Sequence, residues 1–480
     1  MSSAKQGMIW SAVNTWTNNV LSLAVVTLLA RLVSPNEFGL VALAGIYVAF
    51  GQVFISDTVS EALVQRNLLD PAHLDAAFWV MALLGVVATV AGVAGAPLLG
   101  AVFSEPAVVP ILQIISLRLL FDSLMTVPTA LLLRRLDFRS LAKRSLVANI
   151  AGGAAGVGIA LAGGGAWALV AQQLVNAAAT LAVLSANAGW FPRLTFSRAH
   201  ARDLIAYSSF TGLSRLGYFL VNNVDRILIG FFVTSAALGV YSLAKRVTEM
   251  MHASITGVVV AVAHPHFARE QNDIGRLREA LTAMMDKTVL VAFPAFFGLA
   301  AIGTDVVPLV FGAKWDAAVP VLQVLSILMA LYAVSTLHGA LVRAMGRAGW
   351  WSGFVNLTSA LYVVGFVVAG PHGIVAVAAS SLAMFALVTP LHFWMVARLL
   401  GLRLARYLAL FVAPLVASAA MSLLIVLLRE RGYFPGASLF GRVAAEIAVG
   451  MTAYAVLIIV LAPGRTRWLI APFRRSAAAP

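Results

Sequence analysis

No cysteine occurs in the 480 residues, which excludes disulfides, thiolate metal centres and a cysteine nucleophile. Charge is scarce as well. Only 11% of positions are charged, where a soluble domain carries about a quarter. The Walker-type glycine loop is missing, so this chain does not hydrolyse ATP, and so is the paired His and Glu spacing of a membrane metalloprotease. No loop expected on the outer side reaches about twenty residues, which leaves little room for an acidic glycosyl-transfer site. Together these absences argue against an enzyme and against any bound cofactor.

What is present is apolar. Hydrophobic residues make up 61% of the chain, and the mean hydropathy is +0.93. They come in runs of about twenty residues, long enough to cross about 30 Å of hydrocarbon as helices. Only helices and closed barrels satisfy the backbone there. Stretches such as FWVMALLGVVATVAGVAGAPLLG from Phe78 lack the alternation of barrel strands and are apolar all round. The expected fold is therefore an all-α integral membrane protein of about fourteen transmembrane helices. Spans are expected near 10–33, 38–60, 76–103, 107–133, 142–162 and 166–187. After a polar link follow 204–232, 236–262, 285–310, 318–342, 350–369, 373–397, 405–428 and 438–462. The leading MSSAKQG runs straight into apolar sequence with no small-residue cleavage site, so the first span is read as uncleaved.

The net charge of +14 does not point to nucleic acid, because no basic stripe with interleaved aromatics stands outside the apolar runs. It points to orientation. Most of the 33 Lys and Arg fall in alternate loops, namely around Lys5, Arg66, Arg134–Arg144, Arg193–Arg202, Arg269–Lys287, Arg343–Arg347, Arg398–Arg406 and the tail from Arg465. The other side holds only Arg31, Lys314, Arg429, Arg431 and Arg442. By the positive-inside rule both termini are expected in the cytoplasm.

An internal repeat is also legible. LLARLVSPNEFGLVALA from Leu28 aligns with LIGFFVTSAALGVYSLA from Leu228, and VPILQIIS from Val109 aligns with VPVLQVLS from Val319. The offsets are 200 and 210 residues, in the same order. They predict two parallel six-helix lobes, residues 1–195 and 196–400, followed by two further helices and a basic tail in 401–480.

A charge at mid-bilayer costs about 2.5 to 3.5 kcal/mol on insertion scales, so it normally faces a partner or a watery cavity. In the seventh span Arg215, Asn222 and Arg226 share one helical face, with Asp225 beside it. The eighth carries Lys245, Arg246, Glu249 and His252. Asn14 and Asn18 stand one turn apart in the first span; Arg118 and Asp122 in the fourth, and Asp57 and Glu61 in the second, are spaced for mutual pairing. The functional reading is a net-cationic cavity suited to a bulky anionic solute with sugar hydroxyls. Its candidate binding residues are Arg215, Asn222, Asp225, Arg226, Lys245, Arg246, Arg118, Asn14 and Asn18. The competing reading is ion pairing that fixes helix packing. Lone His252 and His338 are read as packing residues.

NNVDRILIGFFVTSAALGVYSLAKRV from Asn222 resembles the signature of the polysaccharide-export branch, the Wzx-type oligosaccharide flippases, of the multidrug/oligosaccharidyl-lipid/polysaccharide flippase superfamily. Pro35, Phe38 and Gly39 fit the matching N-terminal pattern. The resemblance implies two six-helix lobes around a vestibule and alternating access without covalent chemistry. It also implies a substrate, an undecaprenyl-diphosphate-linked oligosaccharide moved across a bacterial cytoplasmic membrane, alongside polysaccharide polymerase and export machinery. By location, Arg215, Asp225, Arg226, Lys245 and Arg246 would handle the diphosphate and sugars. Related branches flip peptidoglycan precursors or export drugs against protons or sodium; a membrane scaffold for assembly enzymes is a third reading.

Overall fold

The computed structural model describes residues 2–55, 63, 70–195, 197–198, 219–220, 222–434 and 438–465, with side chains from residue 17 onward except at 138, 258 and 261. Among these residues there is no strand. The helices are α1 (Ser2–Leu32), α2 (Pro35–Ile55), α3 (Pro71–Val102), α4 (Val108–Ile115), α5 (Leu117–Leu124), α6 (Thr126–Arg134), α7 (Phe138–Leu161) and α8 (Ala166–Ala188). A helical stretch over 222–232 then leads to α9 (Ser235–Arg269), α10 (Ile274–Phe311), α11 (Val319–Ala344) and α12 (Ala348–Ala369). Last come α13 (Ile374–Leu400), α14 (Leu404–Glu430) and α15 (Leu439–Leu461). Among the described residues eleven spans are long and apolar enough to cross a membrane, and the bent α9 would make twelve. Each coincides with an expected span.

Starts and stops follow local chemistry. Ser34 and Glu37 form a capping box at α2: Ser34 N donates to Glu37 Oε2 at 2.8 Å, and Glu37 N donates to Ser34 Oγ at 3.4 Å. Asp137 caps α7 by accepting from Ser140 N at 3.0 Å and Ser140 Oγ at 2.6 Å. Those bonds hold its carboxyl below the usual carboxylate range, so the cap persists above that range and is lost as pH falls through the lowered value. Asp273 and Ser438 cap α10 and α15.

Two departures from expectation have physical causes. The fourth span is not one rod but three segments, α4 to α6. Ser116 and Ser123, at or near the breaks, bond back to the carbonyls of Leu112 and Leu120, while Thr89 Oγ1 donates to Ser116 O. And α10 begins at Ile274 rather than near 285, because its first turns are helical but charged.

The chain forms two compact units, Met1–Ser242 with Phe366–Val377, and Leu243–Gly365 with Ala378–Pro480. In the first, α7 lays Gly152 and Gly156 against the backbone of α8 at Gln172 and Ala168, the close approach that small residues four apart permit. The same unit holds a tighter crossing. A Cβ on Gly39 would fall 1.6 Å from Ser235 O, and one on Gly239 would fall 1.9 Å from Pro35 O. The 200-residue offset expected from the sequence pairs these positions: Gly39 meets Ser235, which it aligns with Pro35, and Gly239 meets Pro35. Such reciprocal contact is what a two-fold axis produces. The turns leading in match as well, since Val33 N bonds Leu29 O and Val233 N bonds Ile229 O, and Phe38 and Leu238 bond Ser34 O and Thr234 O.

In the second unit α14 and α15 pack on α10. Pro294 cannot bond the carbonyl four residues back, and that carbonyl, Leu290 O, accepts from Tyr454 Oη at 3.0 Å. Pro414 likewise releases Leu410 O, which accepts from Arg465 Nη1 at 2.7 Å. Near the other end, Arg429 Nη1 donates to Ala301 O at 2.7 Å and lies 3.7 Å from fully buried Glu446, while Arg442 lies 3.6 Å from Asp305.

Two outcomes are expected. Gly39→Val should lower the melting temperature of the detergent-purified chain well below that of Gly45→Val, on the same helix, where a Cβ meets nothing within 4 Å; equal losses would refute the close crossing. Tyr454→Phe should destabilise by about 1 kcal/mol, the worth of a hydrogen bond within a membrane protein, read in the same assay.

Candidate functional site

The unit Met1–Ser242 with Phe366–Val377 carries three polar clusters on helices that are otherwise apolar. The first lies on the 222–232 helix. Asp225 is 3% exposed. Its Oδ2 accepts from Tyr241 Oη at 2.7 Å, and its Oδ1 accepts from Arg226 N at 2.8 Å. The aspartate is thus anchored by a tyrosine of α9, on the far side of the turn at Val233 and Thr234. Arg226 follows, partly exposed, its buried Nε without a hydrogen-bond partner among the described residues. Asn222 shares the helix and is half-buried.

The second cluster joins α2, α5 and α8. Asp122 Oδ2 accepts from Gln52 Nε2 at 2.7 Å and lies 3.6 Å from Arg118 Nε, and Arg118 Nη1 donates to Gln173 Oε1 at 2.8 Å. Arg118 is therefore charge-balanced within its own helix and fixed by an amide from another.

The third is a row of amides near mid-helix. Asn149 Nδ2 donates to Asn18 Oδ1 at 2.9 Å, and Asn176 Nδ2 donates to Asn149 Oδ1 at 3.0 Å, linking α1, α7 and α8. All three are half-buried. Amides do not face hydrocarbon without cost, so the row turns either to neighbouring helices or to water.

At the turn into α9, Ser235 Oγ lies 2.5 Å from Asn36 Oδ1 and 2.6 Å from Glu105 Oε1, tying the Gly39 crossing to the loop before α4.

Lys245 and Arg246 belong to the other unit. Lys245, 9% exposed, lies 4.0 Å from Glu249 one turn on. His252 Nδ1 is 3.5 Å from Thr256 Oγ1, and its buried Nε2 has no partner among the described residues.

Of the residues singled out from the sequence, Asp225, Arg226 and Asn222 share a helix, Arg118 pairs with Asp122, and Asn18 joins the amide row. Arg215, Asp57, Glu61 and the Asn14 side chain lie outside the described residues. Five partners went unread: Tyr241, Gln52, Gln173, Asn149 and Asn176. The two asparagines were detectable as amides near the centres of their spans, the criterion that picked out Asn14 and Asn18. Tyr241 sits inside the quoted signature, but nothing in its spacing indicates that its hydroxyl serves Asp225. Among the described residues no group of three or more His, Asp or Glu could hold a metal ion.

Comparison with solved structures defines the class. The lipid II flippase MurJ in an inward closed conformation superposes with a TM-score of 0.77 at 14% identity, covering 96% of this chain and 99% of its own. An inward-facing multidrug resistance MATE transporter of the MOP superfamily gives 0.60 at 15% identity, covering 83% and 98%. The fold is that of this superfamily. A family model described as polysaccharide biosynthesis protein matches residues 28–320, and the chain belongs to that family, the polysaccharide-export branch. Among its relatives, the teichuronic acid biosynthesis protein TuaB of Bacillus subtilis strain 168 is 26% identical over 474 residues, 96% of each chain. The succinoglycan biosynthesis transport protein ExoT of Rhizobium meliloti strain 1021 is 27% identical, covering 98% of this chain and 96% of its own. The lipopolysaccharide biosynthesis protein WzxC of Escherichia coli K12 is 25% identical, covering 76% and 74%.

Proposed function

We propose that this chain is a flippase, not an enzyme, and that it carries undecaprenyl-diphosphate-linked oligosaccharides from the inner to the outer leaflet of a bacterial cytoplasmic membrane. The family match over residues 28–320 carries the reading, and relatives named for polysaccharide biosynthesis and transport support it. The product would feed exopolysaccharide, capsule or O-antigen assembly, with a polymerase and export machinery as partners.

In this reading the chain has fourteen spans: the eleven apolar helices, the bent α9, α1, and one over 204–232. Residues 1–195 and 196–400 form two parallel lobes, with 401–480 appended. The reciprocal packing of Gly39 and Gly239 supports the duplication. The lobes alternate access to a cavity between them, and both termini lie in the cytoplasm.

Arg226 is the residue we assign to the diphosphate, with Arg215, Lys245 and Arg246 adding to the field and Asp225 fixing the helix through Tyr241. Arg226 Nε makes no hydrogen bond among the described residues, and a guanidinium gives charge-assisted bonds to phosphate oxygens. Asn222, Asn14, Asn18 and Arg118 are assigned to the sugar side, where amides and a neutralised arginine can bond hydroxyls without adding charge. A drug exporter for cations would favour an acidic cavity, and the balance of these residues is basic.

Deleting the gene should make lipid-linked repeat units accumulate while surface polymer disappears, and restoring the wild-type chain should reverse both. Arg226→Gln should then cut surface polymer by roughly tenfold or more, the worth of one charge-assisted bond, at unchanged membrane levels. Full export by that variant would remove Arg226 from the site, and unchanged pools in the deletion strain would refute the flippase. Orientation is testable because the chain has no cysteine: single cysteines placed at Ser140 and Asn272 should react with an impermeant maleimide only in inside-out vesicles, and labelling in intact spheroplasts would invert the topology.

A further inference from the structure

Three side chains from distant parts of the second unit meet in its interior. His338 of α11 places Nδ1 2.7 Å from His392 Nδ1 of α13, and its Nε2 2.7 Å from Tyr407 Oη of α14. Both histidines are fully buried and Tyr407 is 2% exposed. Two imidazole nitrogens at that distance need one proton between them: none would set lone pair against lone pair, and two would set hydrogen against hydrogen. Two arrangements satisfy the row. In one, Tyr407 donates to His338 Nε2, His338 Nδ1–H donates to His392 Nδ1, and His392 carries its proton on Nε2. In the other, His392 Nδ1–H donates to His338, His338 Nε2–H donates to Tyr407 Oη, and His392 Nε2 is a bare lone pair. That nitrogen is buried and makes no hydrogen bond among the described residues. It is the open end of the row.

We propose that His338, His392 and Tyr407 form a proton-binding relay, and that it is the site where a proton gradient drives the transport cycle. The coupling rests on the flippase reading above; the relay does not. A proton arriving at His392 Nε2 makes that ring an imidazolium. The ring passes its Nδ1 proton to His338 Nδ1, and His338 becomes the cation, with its Nε2–H on Tyr407 Oη. One proton has entered, one charge is held, and no other bond changes.

The surroundings suit a charge that is held only briefly. Aromatic rings enclose the pair: Phe393 stands perpendicular to His338 with centroids 5.0 Å apart, and Phe354 stands 70° to His392 at 5.2 Å. Ring faces stabilise a cation modestly. No carboxylate pairs with either imidazole among the described residues. On α11 the nearest charge along the helix is Arg343, on α13 Arg398 and on α14 Arg403 and Arg406, all exposed. From α12, Tyr362 bonds Tyr332, whose ring lies 4.4 Å from Phe385, in turn 6.1 Å from His392; His252 of α9 touches the same Tyr332 at 6.5 Å. From α10, Phe293 reaches the cluster through Phe411. An imidazolium here has only neutral or cationic company, so protonation favours any conformation that admits water or an anion. That difference between states is what coupling requires.

The test uses the purified full chain in proteoliposomes with a fluorescent undecaprenyl-diphosphate oligosaccharide, with and without an imposed pH gradient. Wild type should move the lipid faster with the gradient. His338→Gln and His392→Gln keep an amide that can hydrogen-bond but cannot hold the proton, and in both the stimulation should disappear while the melting temperature stays near wild type. Stimulation undiminished in both variants would overturn the coupling. A wild type that moves no lipid would instead count against the flippase reading. The relay itself is read independently by nitrogen NMR of histidine-labelled protein: one ring of the pair should take a proton on acidification, and the signal should vanish in either Gln variant. Two rings neutral throughout would overturn the relay.

Discussion

In hydrocarbon a backbone carbonyl has no solvent to turn to, and an unsatisfied one costs several kcal/mol. Proline inside a helix creates that debt, and this chain places prolines inside long membrane helices. At Leu290 and Leu410 the freed carbonyls are met by Tyr454 and Arg465, both contributed by the C-terminal helix or the turn after it. α15 and the turn after it therefore complete the backbone bonding of α10 and α14 and do more than add contact with lipid. The groups that meet these carbonyls lie 164 and 55 residues further along the chain.

Much of the fold was legible from the sequence because lipid imposes a coarse rule. Apolar length and alternating loop charge locate each helix without any knowledge of its partners. What escaped is what that rule does not address. The first turns of α10 carry Arg276, Arg278 and Glu279, so a hydropathy reading starts the helix too late. The breaks at Ser116 and Met125 leave no mark in an apolar pattern, since serine folds back onto a carbonyl in unbroken helices too, as Ser326 does onto Leu322 in α11. The candidate site divides the same way. Asp225 and Arg226 declare themselves as charges in an apolar run, whereas Tyr241, Gln52 and Asn176 look ordinary until the fold brings them alongside. His338 reads as solitary because His392 and Tyr407 lie 54 and 69 residues away.

Two arginines of similar sequence appearance end in different electrostatic situations. Arg118 is spent: its carboxylate is one turn along, and its amide partner comes from α8. Arg226 follows an aspartate whose oxygens are engaged by a tyrosine hydroxyl and a backbone amide. Sequence spacing already marks Arg118 for pairing with Asp122, and the fold adds where the acid beside Arg226 spends its lone pairs.

The crossing at Gly39 and Gly239 carries a historical consequence. Taken as copies of one unit, the two halves touch there as identical subunits would, each presenting its glycine to the other's helix start. A half-length ancestor could have paired with itself through this surface, and any change to its glycine would have struck both sides of the contact at once. In one fused chain that constraint no longer holds. Pro35 and Asn36 on one side could then diverge from Ser235 and Ala236 on the other, and the shared surface could acquire a polarity of its own, as Ser235 now does by reaching Asn36 and Glu105. A carrier that must hand an asymmetric lipid in one direction needs its two halves to be alike enough to rock and different enough to tell inside from outside.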